Sequence, residues 1–260
     1  MNEVKPKKKL GQHFLKDQNI ARKIVDSLSA KTADVLEVGS GMGVLTCYLL
    51  KRKELNVHAI EIDKESVEFL KKNYPEINEK LYAEDFLKFD FLSHFQGNFS
   101  VIGNFPYNIS SQIFFRVLDY RDHIPEVVGM VQKEVAERIS AGQGNKTYGI
   151  LSVLLQTFYN IEYLFTVSEH VFVPPPKVKS AIVRLTRNQR QTLPCDEKFF
   201  VHVVKTAFNQ RRKMLRNSLK EFGKNLPPQF AEKRPEQLSV NDYILLASAI
   251  EKCLKIGYAI

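Results

Sequence analysis

Apolar positions in the first two thirds of the chain follow two alternating rhythms. Short β-type runs stand at Asp34–Val38, Val57–Ile60, Leu81–Ala83, Phe99–Gly103 and Glu126–Val131. Between them, from about Val44, from Lys64 and near Ser110–Leu118, apolar residues recur at the three-to-four-residue spacing of amphipathic helices. Strand and helix in alternation predict an α/β fold, a Rossmann-like, mostly parallel sheet covered by helices. A helix near Tyr148–Phe158 and late strands near Ile161–Ser168 and Ser180–Thr186 continue the pattern, the two strands as an antiparallel edge.

After Thr186 the rhythm changes. Asn188–Pro194 is polar and turn-prone, and the rest of the chain reads as helices only, at Glu197–Phe208, Arg211–Phe222 and Val240–Leu254, broken by Pro227-Pro228 and Pro235. The expected organisation is a catalytic domain over residues 1–188 and a small all-α domain over 189–260. At 260 residues and 44% hydrophobic, the chain can bury a substantial core.

The longest apolar runs fall short of the roughly 20 residues a membrane span needs. Lys5, Lys7, Lys8 and Lys9 are followed by Gly11-Gln12-His13 and not by the apolar stretch of a secretory signal. Cys47, Cys195 and Cys253 are far apart and odd in number, which suits neither a disulfide framework nor a zinc knuckle. These features predict a cytoplasmic protein away from membranes, expected to be monomeric, and the formal charge of +9 suits a polyanionic partner.

Glu37-Val38-Gly39-Ser40-Gly41-Met42-Gly43 falls where the first strand ends and a helix begins, the place where open α/β sheets bind ligands. Its glycines, Gly39 and Gly41 first, permit close approach to the backbone. A dinucleotide fingerprint would need glycine at position 44, where this chain has Val44. Glu61 ends the next strand, placed to grip a ribose diol. Asp85 follows the third, placed to accept from an adenine amine with Ile62 or Phe86 beside the ring. A pocket ringed by Glu37, Glu61 and Asp85 repels a pyrophosphate and suits the cationic S-adenosylmethionine.

Asn104-Phe105-Pro106-Tyr107 emerges from the strand at Phe99–Gly103, beside that pocket. An adenine amine is a poor nucleophile whose lone pair is delocalised into the ring, so its enzyme must supply orientation. The Asn104 side-chain oxygen and the Phe105 carbonyl can accept its two hydrogens, with Pro106 stiffening the turn. Tyr107 can stack on the extruded base. Phe172, ahead of Pro174-Pro175-Pro176, reads as an aromatic that sandwiches the base against Tyr107. No metal is called for. Arg211, Arg212, Lys213, Arg216 and Lys220 are expected at a helix start, with 212, 216 and 220 along one face as an RNA-binding stripe. The Lys-rich N-terminus is expected to order over cofactor and RNA.

Five motifs in this order, Gly11-Gln12-His13-Phe14-Leu15, Glu37-Val38-Gly39-Ser40-Gly41, Asn104–Ser110, Phe172–Val178 and Phe208–Lys213, resemble the KsgA family of small-subunit rRNA adenine dimethyltransferases over nearly the whole chain. The resemblance implies a class I S-adenosylmethionine-dependent methyltransferase domain. It implies conversion of two adjacent adenosines near the 3′ end of 16S rRNA to N6,N6-dimethyladenosine within the small ribosomal subunit or its precursor. It also implies cofactor contacts at His13, Leu15, Gly39, Glu61, Asp85 and Asn104, with Gln12 nearby. His13 stands where many members have asparagine, and Phe105 where leucine is common. Competing readings are the related large-subunit rRNA methyltransferase of macrolide resistance and a nucleic-acid-binding assembly or transcription factor that keeps the fold without needing catalysis.

Overall fold

The structure, a computed structural model, describes residues 4–29 and 31–257; residues 1–3 of the Lys-rich N-terminus lie outside the described residues. Its strands are β1 (Phe14–Leu15), β2 (Asp34–Val38), β3 (Asn56–Ile60), β4 (Leu81–Tyr82), β5 (Phe99–Asn104), β6 (Glu126–Gln132), β7 (Tyr159–Val167), β8 (Phe172–Val173) and β9 (Ser180–Arg187). Helices α1 (Gln18–Asp26), α2 (Thr46–Leu49), α3 (Lys64–Asn73), α4 (Phe91–His94) and α5 (Ser110–Asp119) lie among them, followed by α6 (Lys133–Ser140) and α7 (Ile150–Phe158). The remainder is helical: α8 (Glu197–Asn209), α9 (Leu215–Ser218), α10 (Pro228–Ala231) and α11 (Val240–Gly257).

Seven strands form one sheet in the order β4-β3-β2-β5-β6-β9-β7. The first five are parallel, and β9 runs antiparallel to β6. The central strands β2, β3 and β5 are buried on both faces and mostly apolar, as strands covered on both sides tend to be. Helix α1 illustrates the local logic. Asp17 caps it by accepting from the N–H groups of Asn19 and Ile20 at 2.8 and 3.1 Å, and Ala21, Ile24 and Val25 share its buried face. From β2 the chain moves outward through β3 and β4, then returns to place β5 on the other side of β2. That reversal opens a crevice at the carboxyl ends of β2 and β5, where ligands of such sheets bind.

The chain divides into two compact units, Met1–Ala136 with Asn160–Arg187, and Glu137–Tyr159 with Asn188–Ile260. This departs from the contiguous division expected at residue 188. The segment 137–159 belongs with the helical unit, because α7 packs against α8 and α11 there and buries seven of its nine residues. The helical unit is therefore larger than expected, and its core includes Tyr148, Phe200, Val203, Leu215 and Tyr243.

Two further expectations are corrected. Residues 211–222 do not form one helix. Gln210 leaves helical geometry (φ −122°, ψ 47°) and Met214 is extended (φ −65°, ψ 152°), which lets Leu215 and Leu219 turn inward. Positions 212, 216 and 220 thus fall in a turn, in the short α9 and in a 3-10 turn, and no helical stripe exists. The segment at Phe172 is extended, but it holds the aromatic ring in the core instead of beside Tyr107. It is β8, paired antiparallel with β1 in the register Phe14 with Val173 and Leu15 with Phe172. Among the described residues no helix is long and apolar enough to cross a membrane.

Candidate active site

The crevice is a cavity of about 180 Å³ at the ends of β2, β3 and β5. Of the residues singled out from the sequence, Gln12, His13, Gly39, Gly41, Glu61, Ile62, Asp85, Phe86, Asn104, Phe105, Pro106 and Tyr107 all line it.

Gly39 and Gly41 take left-handed backbone conformations, φ 69° and 53°, that side chains with a Cβ disfavour. A Cβ at Gly41 would also stand 3.0 Å from the Phe14 ring. The turn brings the Gly41 N–H to Glu61, whose Oε2 accepts it at 2.8 Å, while Oε1 accepts from the Asp63 N–H at the same distance. Glu61 is 4% exposed, and burial raises its pKa against the opposing pull of those two N–H donors. Each oxygen keeps a lone pair for a ligand. Asp85 accepts from the Leu87 N–H at 2.9 Å, which fixes its carboxylate at the cavity wall. Phe86 is buried behind it, and Ile62, 53% exposed, forms an apolar lip.

Asn104 ends β5. Its Nδ2 donates to the His13 carbonyl at 3.0 Å, which sets the rotation of the carboxamide and leaves Oδ1 to accept. The Phe105 side chain is fully buried, and its N–H donates to the Met130 carbonyl at 3.0 Å, extending the ladder one residue past the strand. Pro106 follows at once. The Tyr107 hydroxyl hydrogen-bonds the buried Ser180 hydroxyl at 2.5 Å, and its ring lies 5.4 Å from that of His13. His13 in turn bonds the Pro174 carbonyl through Nδ1 at 2.8 Å.

Three expected site residues lie elsewhere. Glu37 is 1% exposed inside β2, with Ala59 and Ile102 beside it in register, and does not line the cavity. Thr46 Oγ1 donates to its Oε2 at 2.5 Å, and burial pushes its pKa up to about 8, so at neutral pH it is not a third carboxylate of the pocket. Leu15 is buried in the core under the β1–β8 pair. Phe172, 1% exposed, packs in the same core with Ile24, Leu45 and Ile182, so it does not sandwich a base against Tyr107. In a two-residue strand one side chain points in and the next out, and here it is Val173 that faces solvent.

Sequence reasoning missed two supports. Lys7 forms an ion pair with Asp63, just beyond Glu61, and a second with Glu65 at 3.0 Å, while its N–H donates to Gln12 Oε1 at 2.9 Å. The hydrogen bond to Asp63 raises the Lys7 pKa; burial alone would raise that of Asp63, yet the bonds from Lys7 and Ser66 hold it below the ordinary carboxylate range. The described part of the Lys-rich segment is thus tied to the cofactor-side loop. Asp63 stands two residues past a recognised strand-end acid, which was the available signal. Ser180 had none, because its role depends on the β6–β9 pairing.

In the helical unit Arg212, Lys213, Arg216 and Lys220 are exposed, and Arg216 pairs with Glu232 at 3.3 Å. Arg211 is half-buried, donating to the Asn145 carbonyl at 3.2 Å with Glu236 at 3.8 Å, so it braces its own unit. Among the described residues no group of three or more His, Cys, Asp or Glu is placed to hold a metal.

Comparison with known proteins narrows what such a site does. The family model described as ribosomal RNA adenine dimethylase matches residues 3–252. The chain is 59% identical to the ribosomal RNA small subunit methyltransferase A of Parabacteroides distasonis over 98% of its own length and 97% of that protein. It is 60% identical to the protein of the same name from Flavobacterium johnsoniae, over 96% and 98%. Among solved structures it resembles a dimethyladenosine transferase from Plasmodium falciparum, with a TM-score of 0.77, 27% identity and coverage of 94% and 98%. The 23S rRNA methyltransferase ErmE has a TM-score of 0.68 at 24% identity, with coverage of 90% and 99%, which shows a shared fold.

Proposed function

Since the chain belongs to the ribosomal RNA adenine dimethylase family, we propose that it converts two adjacent adenosines near the 3′ end of 16S rRNA to N6,N6-dimethyladenosine. The enzyme is an S-adenosylmethionine-dependent methyltransferase. Its substrate is the small ribosomal subunit or a precursor, met in the cytoplasm by a monomer that acts in subunit biogenesis.

The lining of the cavity fits the methyl donor. Glu61 and Asp85 offer carboxylate acceptors to hydroxyl, amine and cationic groups, Ile62 and Phe86 offer apolar faces, and the left-handed turns at Gly39 and Gly41 let backbone approach closely. Gln12 and His13 complete the wall from the N-terminal side. When bound, S-adenosylmethionine supplies an electrophilic methyl group.

The chain's own contribution is orientation. Asn104 Oδ1 and the Phe105 carbonyl accept the two hydrogens of the adenine amine, which directs its lone pair and stabilises positive charge developing on nitrogen. Tyr107, held by Ser180, gives the extruded base a stacking surface. The observation that carries this reading is the Asn104 Nδ2 bond to the His13 carbonyl, because it decides which end of the carboxamide remains to accept. Arg212, Lys213, Arg216 and Lys220 contribute phosphate contacts in the helical unit.

The test is mass mapping of methylated nucleosides after incubation with undermethylated small subunits, large subunits and naked rRNA. Dimethyladenosine is expected on the small subunit alone. Asn104→Ala should lower the rate about 100-fold or more while RNA affinity holds. Methylation confined to the large subunit, or Asn104→Ala at the normal rate, would reject the reading.

A further inference from the structure

Strand interiors disfavour glycine, yet β5 and β6 carry one each, Gly103 and Gly129, paired directly across the ladder. Neither has a left-handed φ, so the backbone does not demand glycine at either position. What does demand it is the neighbour. A Cβ at Gly103 would stand 2.4 Å from the Val38 carbonyl, which excludes a side chain there whatever Phe105 does. At Gly129 the three nearest atoms are all in the Phe105 ring: Cε2 at 2.5 Å, Cδ2 at 3.0 Å and Cζ at 3.1 Å. The opposite edge of the same ring, Cε1 and Cδ1, lies 3.1 and 3.2 Å from the Cβ position of Gly103. The ring therefore fills a slot floored by two glycines and meets Phe114 edge-on, with centroids 5.9 Å apart.

We propose that Gly129 is a positioning residue for methyl transfer: its missing side chain seats the Phe105 ring and thereby sets the direction of the Phe105 carbonyl. The proposal rests on the reading of that carbonyl as an acceptor for the substrate amine. Ring and carbonyl share one Cα, the Phe105 N–H is pinned to Met130, and Pro106 restricts the residue before it. A ring forced out of its slot must turn the Cα between those two anchors, and the carbonyl turns with it. Asn104, one residue away, moves too. Gly129 itself does not line the cavity.

The experiment compares wild type, Gly129→Ala, Phe105→Leu and the double variant Gly129→Ala/Phe105→Leu. Each is assayed for kcat and KM with undermethylated rRNA particles, for cofactor Kd by calorimetry, and for folding by thermal melt. A displacement near 1 Å at an orienting group lowers rates about 100-fold. Gly129→Ala should therefore lose between about 10-fold and 100-fold in kcat, with KM and cofactor Kd within about twofold of wild type. Leucine has no counterpart of Cε2 or Cζ, the ring atoms at 2.5 and 3.1 Å, and its branched end turns away from the Cδ2 position without moving the backbone, so the double variant should recover to within about threefold of Phe105→Leu alone. Gly129→Ala at wild-type kcat, or a loss that Phe105→Leu does not relieve, would overturn the proposal. Should Gly129→Ala fold too poorly to assay, the double variant decides. Folded and as active as Phe105→Leu, it supports the seat; unfolded or still impaired, it overturns it. Failure of the functional reading registers separately, as absence of dimethyladenosine from the wild-type product.

Discussion

Replacing Glu37 with glutamine should stabilise the protein, and by an amount that grows with pH. Glu37 is enclosed in β2 and pushed up from an ordinary value of 4.5 to about 8, first by burial, with Glu61 nearby adding to the effect and the Thr46 hydroxyl opposing it. The sign follows from linkage. Below pH 4.5 the carboxyl is protonated in both folded and unfolded chains and is neutral in its effect. As pH rises, the unfolded chain ionises while the folded one retains its proton, so stability is lost until the folded carboxyl also ionises near pH 8. At about 1.4 kcal/mol per pH unit, the cost reaches about 3 kcal/mol at pH 7 and about 4 kcal/mol at pH 8, where the folded carboxyl is half ionised. Glutamine cannot ionise and still offers Thr46 an acceptor. Urea denaturation of wild type and Glu37→Gln at pH 5, 7 and 8, read as the difference between the two, cancels all other titrations. The difference should be under about 1 kcal/mol at pH 5 and several kcal/mol at pH 8. A difference that stays constant with pH, or a variant less stable at pH 8, would refute the reasoning. Cofactor affinity should be unchanged, because Glu37 does not line the cavity.

Two other outcomes are expected. Phe172→Ala should lower stability by about 3 to 5 kcal/mol in denaturant, as for any buried phenylalanine, whereas Phe172→Leu should fold and bind RNA with near-normal affinity; selective loss of RNA binding by the leucine variant would return Phe172 to the site. Combined Arg212→Ala, Lys213→Ala and Lys220→Ala should flatten the log–log salt dependence of RNA binding by about 2, with cofactor binding unaltered, and an unchanged slope would place the phosphate contacts elsewhere.

The parallel part of the sheet was legible because alternation of strand and helix constrains topology strongly. The two units were harder to read. Their chain crosses over after Ala136, Tyr159 and Arg187, and only the last crossing carries a polar, turn-rich signal. Helix α7 gave no help, since a helix buried on nearly all sides has no polar face to show which partner it covers. The β1–β8 pair was invisible for another reason: two residues are too few for any period. The cationic stripe failed because spacing alone assumed a continuous helix through Met214, where the backbone is extended.

The misplaced Glu37 and the well-placed Glu61 differ in something the sequence does contain. Both are acids at strand ends beside the glycine loop. Glu37, however, lies one residue inside the last residue of β2 and has ladder neighbours on both sides, Ala59 on β3 and Ile102 on β5. Its side chain must leave the sheet through a face, and faces of a covered sheet are core. Glu61 comes immediately after Ile60, the last paired residue of β3, so its carboxylate lies at the rim of the crevice, where it meets the Gly41 and Asp63 N–H groups. Asp85, beyond the end of β4, obeys the same rule, and Asn104, the final residue of β5, has a ladder neighbour on one side only, Met130, and reaches across to the His13 carbonyl. Distance from the last paired residue, and not proximity to the glycines, separates the acids that can touch a ligand from the one that keeps its proton in the core.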